Sequence, residues 1–185
     1  MSLTTLLIPT FTQMLSGLSA WLDKAATCEQ AAERDPDELL SLRITPDMYP
    51  LASQVRFACV QAQESVYRLR GEPIVQALND LRQEGWDAGT HPGSLADAQI
   101  RLADTIAMLG QLAPDALDAG AERAIVLALP NGVIFDMTGE QYARDWALPQ
   151  FYFHLNTAYA ILRSRGVELG KADYVSHMLG YMRPE

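Results

Sequence analysis

Phe11, Met14, Leu15, Leu18, Leu22 and Ala25 recur at three- and four-residue steps. That spacing lays an apolar stripe along one face of a helix. It predicts a first helix over about residues 4–29, with Pro9 either marking its start or kinking it. Pro36, Pro46 and Pro50 then punctuate the chain. Asp47 is the expected N-cap of a second helix over about 47–70, in which Leu51, Val55, Ala58, Ala62, Ser65 and Leu69 share a face. Gly71 follows as its stop signal. The connection over 71–93 holds Pro73, Gly85, Gly89, Pro92 and Gly93, with a helical stretch around 74–82. It is long enough to carry the chain back along the molecule, so that the helices before and after it run in the same direction. Ser94 with Asp97 forms a variant capping box that opens a third helix to about residue 112, and Pro114 stops it.

The pattern changes at residues 123–137. Ala124-Ile-Val-Leu-Ala-Leu129 and Val133-Ile-Phe-Asp-Met137 flank Pro130-Asn131-Gly132. Two β-rich runs around Asn-Gly predict a hairpin, which should lie against the helices, because an isolated hairpin is marginally stable. Thr138 and Gln141 form a second capping box, opening a fourth helix over about 139–165 that Pro149 should kink or divide. The segment after Gly166 is expected to pack loosely on the body. Four helical patterns with one hairpin, and no βαβ rhythm, predict an all-α fold of bundle type.

No composition break divides the 185 residues, and 49% of them are hydrophobic. One domain over 1–185 is expected, burying roughly 70% of its unfolded surface. No segment is apolar enough to span a membrane. The absence of any Lys or Arg before Lys24 argues against a secretory signal, so a cytoplasmic location is the default. The formal charge of -9 comes without a basic stripe, which argues against nucleic acid as a partner. Arg68 with Arg70, and Arg163 with Arg165, fall near helix C-termini, where cations complement the helix dipole.

Cys28 and Cys59 are far apart and outside any CxxC spacing, so buried structural thiols are expected. Glu140 and Asp145 do not make a persuasive catalytic pair. The sequence holds no glycine-rich phosphate loop, serine nucleophile elbow or HExxH motif.

Four stretches carry a resemblance. They are Thr10-Phe-Thr-Gln-Met-Leu-Ser-Gly-Leu-Ser19, Pro46-Asp-Met-Tyr-Pro-Leu-Ala-Ser-Gln-Val55, Leu148-Pro-Gln-Phe-Tyr-Phe-His154, and Ala158-Tyr-Ala-Ile-Leu-Arg163 with Gly166-Val-Glu-Leu-Gly-Lys171. From about Thr10 to Tyr174 the chain resembles a bacterial domain-of-unknown-function branch of the DinB/YfiT-like superfamily. The resemblance implies a DinB-like four-helix bundle with up-down-down-up topology, often dimeric. The superfamily's metal-binding members use three histidines, one on the second helix and a His-x-x-x-His pair on the last. Some of them are thiol-dependent transferases.

Here only His154 stands at a triad position. Gln150 occupies the place of the first histidine of the pair, and Gln54 that of the second-helix histidine. Amides are poor ligands for zinc or nickel. The expectation is therefore no metal and no cofactor. His154, Gln150, Gln54 and Tyr152 are the candidate ligand-binding residues. His154 is read either as a core histidine satisfied by a helix-two side chain, as a recognition group, or as a remnant ligand. His91 or His177 would reach it only by folding back. Trp146, Phe151, Phe153 and Tyr159 surround it in sequence. Because residues 151–153 fan around a helix, at least one of the three should meet the hairpin, the tail or a partner. The functional expectation is a non-metal small-molecule-binding or interaction bundle, working as a homodimer. The alternative is a thiol-dependent transferase or hydrolase with a remodelled site open to metal.

Overall fold

The computed structural model describes residues 2–183. Its helices are α1 (Leu3–Ala31), α2 (Leu51–Arg70), α3 (Gln76–Asp87), α4 (Leu95–Gly110), a short α5 (Gly139–Gln141), α6 (Leu148–Ser164) and a short α7 (Lys171–Tyr174). Strands β1 (Ala124–Ala128) and β2 (Ile134–Thr138) pair antiparallel between α4 and α5.

Side-chain contacts fix the directions of the four long helices. The Gln99 side chain near the start of α4 bonds Ser19 and Asp23 in the second half of α1. Asp118, beyond the end of α4, bonds Ser2 and Thr4. These two helices are therefore antiparallel. Cys59 meets Arg101, and Gln63 meets Thr105, so α2 and α4 run in parallel. Gln54 meets His154, and Leu69 lies against Gly139, so α2 and α6 are antiparallel. The result is an up-down-down-up bundle. Parallel α2 and α4 need a return path, and α3 supplies it by packing along α2.

The core is the shared apolar face of these helices. Phe11, Leu15, Leu18, Trp21, Leu22, Val55, Leu69, Phe151, Leu155 and Leu162 are all buried. Phe11 meets Phe151 edge-on at 4.7 Å, which locks α1 to α6.

Several local expectations are corrected. Helix α1 does not start after Pro9 but continues through it. Pro9 and Thr5 are both exposed, so the Thr5 carbonyl that Pro9 cannot serve is left to solvent. Asp47 is not the N-cap of α2. Its carboxylate is taken by the Thr45 hydroxyl, and Pro50 stands at the helix start instead, its fixed φ suited to that place. The helical run expected over 139–165 is divided at Pro149, which stands in the first turn of α6. The turn before it widens into a π-helical segment, Tyr142–Ala147, which leads into α6. A wider turn removes the need for a proline N–H in the α ladder.

Both capping boxes form as expected, at Ser94/Asp97 and at Thr138/Gln141. The hairpin also forms around Pro130-Asn131-Gly132, as expected. Pro130 and Asn131 occupy the turn, and only Gly132 takes positive φ, at 85°. Gly132 N–H donates to Leu129 O, and Leu129 N–H to Val133 O. That is a turn closed by one left-handed residue. The segment after Gly166 is held as far as Tyr174, which stacks on Trp21 at 5.5 Å, while Trp21 Nε1–H donates to Asp173 O.

Candidate functional site

Helix α2 is buried along nearly its whole first half, because α4, α6 and α3 all pack on it. Polar side chains there must find partners inside the protein. Gln54 does so twice. Its Nε2 donates to Tyr49 O at 3.1 Å, which orients the amide and turns Oε1 toward His154 Nδ1 at 2.9 Å. The acceptor on the Gln54 side makes Nδ1 the protonated nitrogen, leaving His154 Nε2 as an acceptor without a partner among the described residues. Phe57 and Phe153 flank the imidazole, with centroids 5.2 and 5.5 Å away. Burial pushes its pKa down to about 4, so the ring is neutral at physiological pH.

His154 forms one end of a cavity of about 620 Å³. Its walls come from α2, α3, the hairpin and the π segment, with Phe57, Trp86, Trp146 and Phe153 as aromatic panels. The hairpin reaches it because β1 alternates. Ile125 and Leu127 point inward and are buried, and Leu127 to Pro130 line the cavity. Helix α3 reaches it because Gly85 lets the Phe57 ring come close. A Cβ there would fall 2.5 Å from that ring. The volume and mostly apolar lining match a site for a small organic molecule.

The polar part of the lining is concentrated. The Glu64 side chain is only 9% exposed and lies between two guanidinium groups. Arg68 Nε donates to Glu64 Oε1 at 2.7 Å, and Arg82 Nη2 to Oε2 at 3.1 Å. Arg82 Nη1 also donates to Asn79 Oδ1. Nearby, Gln61 Oε1 is buried with no hydrogen-bond partner among the described residues.

Of the four residues singled out from the sequence, His154 lines this cavity. Gln54 supports it from behind through the hydrogen bond to Nδ1. Gln150 is half-buried, makes no side-chain hydrogen bond among the described residues and stands outside the lining. Tyr152 also stands outside it, on the side of α6 that faces the tail, where Phe151 meets its ring at 5.8 Å. Phe153, rather than Tyr152, is the aromatic that meets the cavity. His91 lies in the loop after α3, bonded to Thr90 Oγ1, and His177 lies in the tail; neither lines the cavity.

Sequence reasoning missed Glu64, Arg68 and Arg82. The signal available was the four-residue step from Glu64 to Arg68 on one helix face. Arg68 had an adequate local explanation at a helix C-terminus, which concealed its role here.

The three-histidine metal site of the superfamily does not fit these residues. Two of its three positions are amides, and the Gln54 amide is committed to Tyr49 and His154. Among the described residues, no three His, Cys, Asp or Glu side chains are grouped to hold a metal ion. Cys59 is buried, its thiol pushed up to about 12 by burial, so it does not present a thiolate. No helix among the described residues is long and apolar enough to cross a membrane.

Comparison with known proteins agrees with the fold. The model of a domain of unknown function, DUF1993, matches residues 3–175. The crystal structure of a DinB family member from Shewanella denitrificans is similar, with 32% identity and a TM-score of 0.75, covering 94% of this chain and 91% of that one. No curated protein matches.

Proposed function

The chain belongs to the DUF1993 domain family, and from this DinB-like bundle we propose a protein that binds a small organic molecule without using a metal, in the bacterial cytoplasm and as a homodimer. The observation that carries the reading is the cavity of about 620 Å³ between α2, α3, the hairpin and the start of α6. Its aromatic walls offer contact area, and its few polar groups converge from separate elements, as a site that orients a ligand requires. His154 serves in this reading as a neutral acceptor through Nε2, with Gln54 holding the ring in one tautomer. Gln150 and Tyr152 belong to the surroundings of α6 rather than to ligand contact.

Nile red, a neutral dye whose emission shifts to the blue in apolar sites, tests the cavity without reference to charge. The expected result is saturable one-to-one binding with a blue shift. Leu129 continues the inward alternation of Ile125 and Leu127, lines the cavity and is half-buried, so Leu129→Trp should fill the space and abolish the signal while leaving the thermal transition in place. Absence of saturable binding, or binding untouched by Leu129→Trp, would overturn the reading.

A further inference from the structure

We propose that the cavity takes an amphipathic monoanion, a carboxylate carried on an aromatic or other apolar body. The inference rests on reading the cavity as a ligand site, and it names what that site selects.

The argument is a charge count inside the cavity. Three charged side chains line it: Glu64, Arg68 and Arg82. Both guanidinium groups share the one carboxylate, Arg68 at 2.6 Å and Arg82 at 3.1 Å. Their other partners are neutral, Val126 O for Arg68 and Asn79 Oδ1 for Arg82. Among the described residues, neither arginine has a second acidic partner, so the cluster carries one positive charge in excess. Each guanidinium has five N–H donors, and these bonds leave several of them unused.

The setting makes that excess matter. The two side chains are only 23% and 22% exposed, and five aromatic side chains, Tyr49 among them, share the lining. Charges count for more where water is thinned out. The chain as a whole is at -9, so this local positive charge is not a reflection of general basicity. A carboxylate accepts bidentate N–H donation from an arginine in a way a neutral group does not. The single excess charge matches a monoanion, and the aromatic panels match an apolar body stacked beside the head group. A cation would meet the same excess as repulsion.

Three probes of one shape separate the possibilities by calorimetry: 1-naphthylacetate, neutral 1-naphthylacetamide and cationic 1-naphthylmethylamine. The acetate is expected to bind about tenfold or more tightly than the amide, the range of a charge-assisted hydrogen bond, and the amine not measurably. In Arg82→Gln the cluster becomes neutral, and the acetate should lose about that same factor while the amide is unchanged. Glu64→Gln raises the excess to two, and acetate affinity should rise. Circular dichroism checks that each variant is folded, and the acetate-to-amide ratio of the parent decides if one is not. Equal affinities for acetate and amide in the parent, or no binding of the acetate where Nile red still binds, would overturn the monoanion and leave the cavity as a ligand site. Failure of Nile red as well would remove both.

Discussion

His154 shows how much one position can say and where it stops. The resemblance placed it opposite Gln54 on the second helix, and the two are in fact bonded. The four-residue step likewise places Gln150 on the same face of α6. What remained hidden was the group around Glu64, because Arg82 reaches it from α3, and only the packing of that crossover helix on α2 brings the two together. The neutral state of His154 leads to a pH prediction. Its folded pKa is about 4, whereas a histidine in the unfolded chain titrates near 6.5. Between those values the unfolded chain takes up a proton that the folded one refuses. The stability contribution is thus intact above about pH 6.5, declines as pH falls, and is lost by about pH 4. The slope is at most about 1.4 kcal/mol per pH unit. His154→Gln keeps an amide that can donate to Gln54 but has no titration, so its stability should vary less than the parent's from pH 6.5 to 4.5. His154→Ala removes the partner of a buried amide and should cost about 1–3 kcal/mol at pH 7. Urea denaturation of the three proteins across this range measures both effects. Parallel pH curves for parent and His154→Gln would show that the ring is not held neutral by the fold.

At the scale of elements, the capping boxes were legible, whereas the single cap expected at Asp47 and the effect of the prolines were not. Ser94/Asp97 and Thr138/Gln141 close the local hydrogen bonds that their spacing announces, because a capping box needs nothing beyond its own four residues. Proline is harder to place, since its cost depends on what surrounds the orphaned carbonyl. Pro149 is accommodated by the π turn ahead of it, which also sets Trp146 into the cavity wall. Pro9 lies inside α1 on an exposed face, so its penalty is moderated by solvent but not removed. Pro9→Ala restores the missing N–H opposite Thr5 O and takes away the ring. The substitution should therefore stabilise the protein, by about 1–3 kcal/mol given the usual proline penalty in a helix interior. Chemical denaturation reads this as a higher midpoint with an unchanged slope. A lower midpoint would mean that Pro9 fits its site better than an alanine does, and that the helix begins elsewhere in the energetic sense.

At the scale of the whole molecule, the up-down-down-up order follows from one legible quantity, the length of the 71–93 connection. A short loop would have made α2 and α4 antiparallel; this one holds α3 and returns the chain. The resemblance implies a dimer without saying which surface would form it. The apolar stripes of α1 and α6 are used up inside the bundle, where Leu7, Phe11, Leu15, Leu18, Phe151 and Leu162 are each at 0% exposure. On the long bundle helices α4 and α6, Ile100 and Phe153 are exposed singly, while the clustered exposed apolar side chains lie elsewhere. Val126 and Ile134 stand on the outer face of the hairpin, and Met178, Leu179, Tyr181 and Met182 on the tail. Clustered exposed apolar groups of this kind mark association surfaces more often than single ones do. A two-fold dimer of this chain should therefore be built on the hairpin or the tail, not on the bundle helices. Light scattering at micromolar concentration should give twice the chain mass for the parent. Val126→Asp combined with Leu179→Asp adds charge to both surfaces without touching the core, and should give the single-chain mass with the thermal transition retained. A parent that scatters as a monomer removes the dimer altogether. A double variant that remains dimeric returns the interface to the helices.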